Sequence, residues 1–468
     1  MKIELPGKVS FIINNLIMHG YEAYAVGGCI RDAILAKNPE DWDITTSATP
    51  EEIKRLFRHT VDTGIEHGTV TVVLDKDTYE VTTYRVDGDY KDGRHPTSVT
   101  FTSNLSEDLK RRDFTINAMA YNDNVRLVDE AGGMKDLNRH TIRCVGDPMT
   151  RFSEDYLRIL RALRFSAQLN FKIEHYTREA MITLAPNLSK ISAERIRVEL
   201  VKLLMSDYPE RLIEAQKMGI TKVILPEWDA IVGVVQKNPH HSYNVEEHTL
   251  LAIKGIKKDK ILRLTMLFHD MGKPQVKTTD EKGVDHFIGH GRVSAEIAKN
   301  VMLRLKFDKE SIKKVMTLVA YHDYPLNVTA RGVRRAMHRI GVELFPYYLA
   351  VRLADIKAQS SYKKKEKMEK LVGMRTLYHQ ILQENQCITL ADLAIKGQDL
   401  IKMGMIPGPD IGKVLNLLLE LVLDEPKYNN KEYLLSYSEK LVKENREANA
   451  SVKAYREGNV MEARDEHS

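Results

Sequence analysis

The hydrophobic pattern of the chain changes period near residue 150. An apolar set at helical spacing over residues 6–18 predicts an opening helix, after which β-branched runs take over. Thr69-Val-Thr-Val-Val-Leu74 and Glu80-Val-Thr-Thr-Tyr84 flank a turn-like Asp75-Lys-Asp-Thr78, predicting a hairpin or meander that extends a sheet. Strand, helix and strand signals continue to about residue 145, and from about 150 the pattern is helical to the end. The predicted architecture is an α/β head, a mixed sheet with helices, followed by an all-α neck, body and tail.

At 468 residues the chain exceeds a single core and predicts three or four units. A hydrophobic content of 43% with 29% charged residues is that of a soluble globular protein. Three cysteines, Cys29, Cys144 and Cys387, are too few for a disulfide framework, which fits a reducing cytosol and a cytoplasmic protein. Lys2, Glu4 and Lys8 interrupt the N-terminal apolar pattern, and no long uncharged apolar run follows, so neither a signal peptide nor a membrane span is expected. A net charge of +5 implies no polyanionic partner by itself. Local clusters say more: Lys110, Arg111, Arg112, Arg139, Arg143, Arg151, Arg158, Arg161 and Arg164 form one basic zone. Arg331, Arg334, Arg335, Arg339 and the run Lys363-Lys-Lys-Glu-Lys367 form another, the lysine run being either a solvated helix face or an RNA contact.

The chemistry begins at Asp41-Trp42-Asp43. On a strand alternate side chains share a face, so the two carboxylates would meet in one site suited to a hard divalent cation. Upstream, Gly27-Gly28 lets backbone approach a polyphosphate, and Arg31 can grip it as a fork. Singly, an acidic pair is usually a solvated loop and a glycine pair a turn. Their order within about 20 residues, glycines first and carboxylates second, is much less common by chance, and carboxylates so paired could hold the Mg²⁺ of an in-line phosphoryl displacement.

Between the halves, Glu154-Asp-Tyr-Leu-Arg158-Ile-Leu-Arg161-Ala-Leu-Arg164 predicts a helix with Glu154, Arg158 and Arg161 on one face and Asp155 beside them. It reads equally as an ion-paired helix or as a base reader. In the second case an aspartate accepts from an exocyclic amine while an arginine donates to ring acceptors.

These motifs together resemble the class II tRNA nucleotidyltransferases, the family of CCA-adding enzymes and bacterial poly(A) polymerases. The resemblance rests on Gly27-Gly28-x-x-Arg31-Asp32 with Asp41-x-Asp43, then Gly64-x-x-His67-Gly68-Thr69, then Arg111-Arg-Asp-Phe-Thr-Ile-Asn-Ala118. Asp129, Gly132-Gly133 and Asp136-Leu137 follow, then Glu154-Asp155-x-x-Arg158. It implies Asp41 and Asp43 as catalytic Mg²⁺ ligands, Gly28, Arg31 and Arg112 on the triphosphate, and Asp113 on the ribose. Asp155 and Arg158 would pair with CTP or ATP, helped by Arg161 and Arg164, and Glu80 is either a third carboxylate or a surface residue. The polar segment 85–96 matches a loop that in the family allows the switch from C to A addition. An Arg-rich stretch of the poly(A) polymerases is replaced here by Gly64-Ile-Glu-His-Gly-Thr69. The implied activity is addition of CCA to the 3′ end of tRNA. CC-only, A-only or poly(A) synthesis stands as the alternative, as does an HD phosphohydrolase or RNA-binding protein with a weak transferase head. The tRNA would be recognised mainly by shape and phosphates. The sequence carries no signal of oligomeric state.

Downstream, His248, His269-Asp270, His290, His322 and Asp355 supply imidazole and carboxylate ligands in the order H, HD, H, H, D. This stretch resembles an HD metal-dependent phosphohydrolase domain, which implies a divalent metal of unspecified identity. A purely structural HD domain is the other reading. Near the end, Gly404-Met-Ile-Pro-Gly-Pro-Asp-Ile-Gly-Lys413 precedes an apolar helix and suits either a tRNA phosphate or an ordinary helix start. The stretch 446–468 is polar and expected to fray. The expected division is thus a catalytic head over 1–145, a neck and body over 146–235, an HD domain over 236–372 and a tRNA-binding tail over 373–468.

Overall fold

Val70, Val72 and Val81 are wholly buried, and the hairpin that carries them lies within a seven-stranded sheet. The structure is a computed structural model and describes residues 1–88, 98–440 and 443. Residues 89–96 of the expected polar loop and the terminal stretch 446–468 lie outside the described residues. The strands are β1 (Ala23–Val26), β2 (Ile44–Thr46), β3 (Thr60–Gly64), β4 (Thr69–Leu74), β5 (Asp77–Thr83), β6 (Arg85–Asp87), β7 (Val99–Phe101), β8 (Ala120–Asn122) and β9 (Arg126–Val128). The large sheet runs β3-β4-β5-β2-β1-β8-β9, and β6 with β7 makes a separate ribbon. Only β2 and β5 pair in parallel within the large sheet, with Ile44 opposite Val81.

The hairpin turn is tighter than the sequence pattern suggests. β5 starts at Asp77, and Asp75 takes a left-handed φ of 57°, a conformation that aspartate tolerates. Helix α1 (Gly7–Met18) buries Val9, Ile12, Ile13 and Leu16, the apolar stripe that predicted it. Helix α2 (Gly28–Ile34) starts after Gly27, whose φ of 88° suits glycine. Helices α3 (Pro50–Leu56), α4 (Leu105–Lys110) and α5 (Gly133–Asn138) complete the head.

Beyond it come α6 (Pro148–Glu154), α7 (Leu157–Leu169), α8 (His175–Leu184) and α9 (Ala193–Leu204). The single helix expected over 154–164 is two. Asp155 is extended (φ −148°, ψ 104°), and its Oδ1 accepts from Leu157 N at 3.0 Å. A short polar side chain that bonds the backbone ahead of it competes with helix continuation. Two small ribbons also interrupt the helical region: Thr141–Ile142 with Lys172–Ile173, and Thr278–Thr279 with Asp285–His286.

The chain divides into two units. Met1–Val235, Asn244–Leu267 and Glu296–Ile312 form the first; Gln236–Tyr243, Phe268–Ala295 and the chain from Lys313 form the second. In the second, Val414, Leu418, Leu419, Val422 and Leu423 of the helix Pro409–Asp424 pack with Leu393, Ile395, Leu400 and Leu434. Part of the second basic cluster serves this helix. Arg334 donates to the carbonyls of Leu423 (2.7 Å) and Asp424 (2.9 Å), while Arg331 and Arg335 pair with the Asp424 carboxylate. They satisfy orphan carbonyls and negative charge at a helix C-terminus. No helix among the described residues is long and apolar enough to cross a membrane.

Candidate active site

Asp41 and Asp43 sit just ahead of β2 rather than on it. The chain is nevertheless extended there, since Val26 N donates to Asp43 O at 3.0 Å. The parallel register of Ile44 with Val81 places Asp43 and Glu80 at the same end of adjacent strands. Asp41, Asp43 and Glu80 line one cleft of about 540 Å³ with Glu40 and Asp77. Crowding by protein raises the Asp43 carboxyl above its ordinary range; Glu80 and Asp41 push the same way, against the Arg112 guanidinium. An all-oxygen set of mutually repelling carboxylates fits a hard divalent cation, as the nucleotidyltransferase family implies.

Gly27 forms the turn into α2, and a Cβ there would lie 3.0 Å from Arg112 Nη1. Arg31 is buried. It donates through Nε and Nη2 to Asp32 (2.9 and 2.8 Å) and through Nη1 to Asn117 Oδ1 (2.7 Å). Asp108, fully buried, accepts from Arg111 Nε (2.9 Å) and Nη2 (2.6 Å), Arg112 Nη2 (3.3 Å) and Thr45 Oγ1 (3.3 Å). Arg112 Nε is buried with no hydrogen-bond partner among the described residues, a donor such as a bound anion would satisfy.

Asp113 accepts from Phe114 N (2.9 Å), Asn117 Nδ2 (3.2 Å) and Arg161 Nε (2.7 Å). Burial opposes its charge, but the Arg161 guanidinium and these hydrogen bonds outweigh it and hold the carboxyl at about 2. Arg158 pairs with Glu154 and donates to Arg151 O at 2.8 Å. Asp155 takes a two-pronged grip from Arg195 of α9, Nη1 at 3.2 Å and Nη2 at 2.7 Å. Arg164 donates to Glu199 Oε2 at 2.6 Å. The Phe165 ring has three guanidinium carbons near its centroid: Arg164 at 4.0 Å, Arg31 at 5.0 Å and Arg161 at 5.4 Å. Sequence reading did not single out Asp108, Asn117, Phe165, Arg195 or Glu199 for the site. Asp108 had a local signal, three and four residues ahead of the arginines it holds. Arg195 and Glu199 lie 40 and 35 residues from their partners and had none.

In the second unit, Asp270, His290 and His322 converge. Their ligand atoms lie within 4.8 Å of one another, in a cleft of about 430 Å³ that Asp355, Arg352, Lys367 and His240 also line. His290 Nδ1 donates to Phe287 O (2.8 Å) and His322 Nδ1 to Val319 O (2.7 Å). These bonds turn the two Nε2 atoms toward each other at 3.1 Å, an arrangement that suits a shared cation. Burial, then the neighbouring His269, hold His322 down at about 4. Lys273 Nζ lies 2.7 Å from Asp270 Oδ2. His269 is buried beside Asp270, Nε2 to Oδ2 at 3.3 Å, whereas Asp355 accepts from Gln359 Nε2 at 2.9 Å. His248 is buried in the helix Val245–Gly255, assigned to the first unit.

Three family profiles match the chain. They are a Poly A polymerase head domain over residues 23–143, a probable RNA and SrmB-binding site of polymerase A over 170–232, and a tRNA nucleotidyltransferase domain 2 over 278–437. A CCA-adding enzyme of Lactobacillus helveticus is 36% identical over 92% of this chain and 96% of its own length. One of Leuconostoc mesenteroides is 45% identical over 58% of this chain and 68% of its own. The crystal structure of the Bacillus stearothermophilus CCA-adding enzyme in complex with CTP superposes with a TM-score of 0.71 at 28% identity, covering 96% of this chain and all (100%) of that one. With the carboxylate cleft and the arginine network of its first unit, the chain belongs to the family of CCA-adding tRNA nucleotidyltransferases.

Proposed function

We propose that this protein adds CCA to the 3′ end of tRNA from CTP and ATP, with Mg²⁺ as the divalent ion, in the cytoplasm. The observation that carries the reading is a set of electrostatic and cation–π contacts among the candidate residues of the first unit. Asp43 feels Arg112, and Arg31 reaches Arg161 through Phe165. Arg161 holds Asp113, whose charge Arg158 also stabilises. Carboxylates, triphosphate ligands and base readers thus share one connected frame.

Asp41 and Asp43, with Glu80, would hold the metal, which when bound activates the attacking hydroxyl and offsets charge building on the α-phosphate. The tRNA 3′-oxygen bonds to the α-phosphorus of the nucleotide, and the bond to the bridging oxygen breaks to release pyrophosphate. Arg31 and Arg112 bind the triphosphate beside the Gly27-Gly28 turn, with Arg112 Nε as a waiting donor. Asp113 has three acceptances filled, which leaves room for one ribose hydroxyl. Asp155 accepts from the exocyclic amine of cytosine or adenine, and Arg158 donates to the adjacent ring nitrogen. Residues 1–145 act as the head, 146–235 as the neck and body, 236–372 as the HD domain and 373–468 as the tail on tRNA.

The test is the 3′ sequence made from a tRNA ending at its discriminator base with Mg²⁺, CTP and ATP. CCA is the expected product; arrest at CC, addition of A alone, or a long A tail would each overturn it in favour of a sister activity.

A second activity is favoured by the facing Nε2 atoms of His290 and His322: metal-dependent phosphohydrolysis in the second unit. Hydrolysis of a generic phosphodiester by the wild type, lost in His322→Ala, is expected; equal rates in both would overturn it.

A further inference from the structure

Base choice by a protein rather than a nucleic-acid template needs an acceptor and a donor held in fixed positions. Asp155 is poorly placed to supply this alone. It sits at the break between α6 and α7 with extended backbone, next in sequence to Glu154 and one helical turn ahead of Arg158. Two adjacent carboxylates therefore compete for one guanidinium. The structure resolves the competition with a residue from another helix. Glu154 pairs with Arg158, and Arg195, 40 positions along the chain, takes Asp155 through both terminal nitrogens.

We propose that Arg195 is a specificity-determining positioning residue that holds the Asp155 carboxylate as an oriented, acceptor-only group facing the incoming base. This rests on the assignment of Asp155 and Arg158 to base reading made above.

Lone-pair accounting supports it. Oδ1 accepts from Leu157 N at 3.0 Å and from Arg195 Nη1 at 3.2 Å, while Oδ2 accepts from Arg195 Nη2 at 2.7 Å. A carboxylate offers about four acceptor positions, so about one remains, on Oδ2. A two-pronged guanidinium also fixes the plane of the group. The remaining lone pair meets the amine of cytosine or adenine productively. Uracil and guanine present a carbonyl there instead, and two acceptors face each other with neither satisfied. Without Arg195 the carboxylate is free to rotate toward Arg158 and neutralise the donor half of the reader. Arg195 itself touches no substrate in this scheme; its side chain is 24% exposed, so its removal opens no core cavity.

The experiment compares wild type, Arg195→Ala, Arg195→Lys and Asp155→Ala in initial-rate incorporation of CTP or UTP into tRNA ending at its discriminator base, and of ATP or GTP into tRNA already ending in CC. The readout is the ratio of kcat/KM for CTP over UTP, and for ATP over GTP. Arg195→Ala is expected to lower these ratios about 10- to 100-fold, the discrimination lost when an unsatisfied acceptor pair no longer has to form. Arg195→Lys, with one point-like donor in place of a fork, should fall between. A general loss of activity that leaves the ratios within about twofold of wild type in both Arg195 variants, while Asp155→Ala changes them, would overturn the role of Arg195. Unchanged ratios in Asp155→Ala would instead overturn the base-reading assignment beneath it. Should Arg195→Ala not fold, as judged by circular dichroism, the lysine variant decides by the same ratios.

Discussion

Arg161 Nε donates to Asp113 Oδ2 across 2.7 Å, joining residues 48 positions apart in sequence. The pair fixes helix α7 to the segment that follows α4. Because Asp113 is held at about 2, below the ordinary aspartate value near 4, its charged form stabilises the folded chain. That contribution is complete above pH about 4 and disappears as pH falls through about 2. At neutral pH it is on the order of 2 kcal/mol, given a side chain only 10% exposed. Denaturant unfolding of wild type and Asp113→Asn from pH 2 to 7 should show a stability gap that closes across this window. A gap independent of pH would show that the ion pair is not its source.

Removal of a carboxylate from the head cleft should separate chemistry from folding. Asp41 and Asp43 precede β2 and are not part of the packed core, so Asp41→Ala and Asp43→Ala should melt within a few degrees of wild type. Nucleotide addition should fall about 10³-fold or more, as expected when ligands that offset transition-state charge are lost. Glu80→Gln should have a smaller effect in the same direction. Addition retained in Asp43→Ala would place the reaction elsewhere.

The parts of this site legible in the sequence are those whose partners are close along the chain. Gly27-Gly28, Arg31, Asp41 and Asp43 lie in one short stretch, and the glycine turn and acidic pair have recognisable chemistry. The periodicity over 154–164 reports only the apolar face of Ile159, Leu160 and Leu163, which predicts one helix where the fold has two. It does not report that Asp155 caps its own downstream backbone. The second basic cluster was ambiguous for a related reason: only the fold shows that Arg334 satisfies carbonyls 89 and 90 residues away. Arg195 draws its role wholly from tertiary contacts, and no spacing rule marks it; Phe165 meets Arg161 four residues back on its own helix but Arg31 only through the fold.

Phe165 offers a test of the frame that connects triphosphate and base. Its ring lies against Arg31, Arg161 and Arg164 and is 5% exposed. Phe165→Leu keeps most of the volume at a cost of about 1.5 kcal/mol or less. It also removes up to three cation–π contacts of about 0.5–2 kcal/mol each. The expected result is a folded protein whose KM rises several-fold for CTP and ATP alike, with kcat less affected. A change in kcat alone would assign Phe165 to some other step.

Affinity for tRNA should fall steeply with salt if phosphate contacts dominate. Each neutralised phosphate contributes a slope of about −0.7 to −0.9 in log K against log salt. Titrations between 50 and 200 mM KCl should therefore weaken binding at least about tenfold. Binding indifferent to salt would mean that bases or apolar surfaces carry recognition.

The second unit's cleft should take up a metal independently of the first unit's chemistry. His290 and His322 each commit Nδ1 to a backbone carbonyl, which turns both Nε2 atoms toward Asp270 Oδ1, 3.3 and 3.7 Å away. With Asp270 they offer three ligand atoms within 4.8 Å of one another, which a divalent ion would draw into coordination. Calorimetric titration of Asp41→Ala with Mn²⁺ keeps this cleft intact while weakening the head site, and should still show tight binding. Adding His322→Ala to the same background should abolish it, whereas His322→Ala alone should leave CCA addition within about twofold of wild type, since the two sites share no residue. Equal Mn²⁺ uptake with and without His322 would exclude this cleft as the metal site.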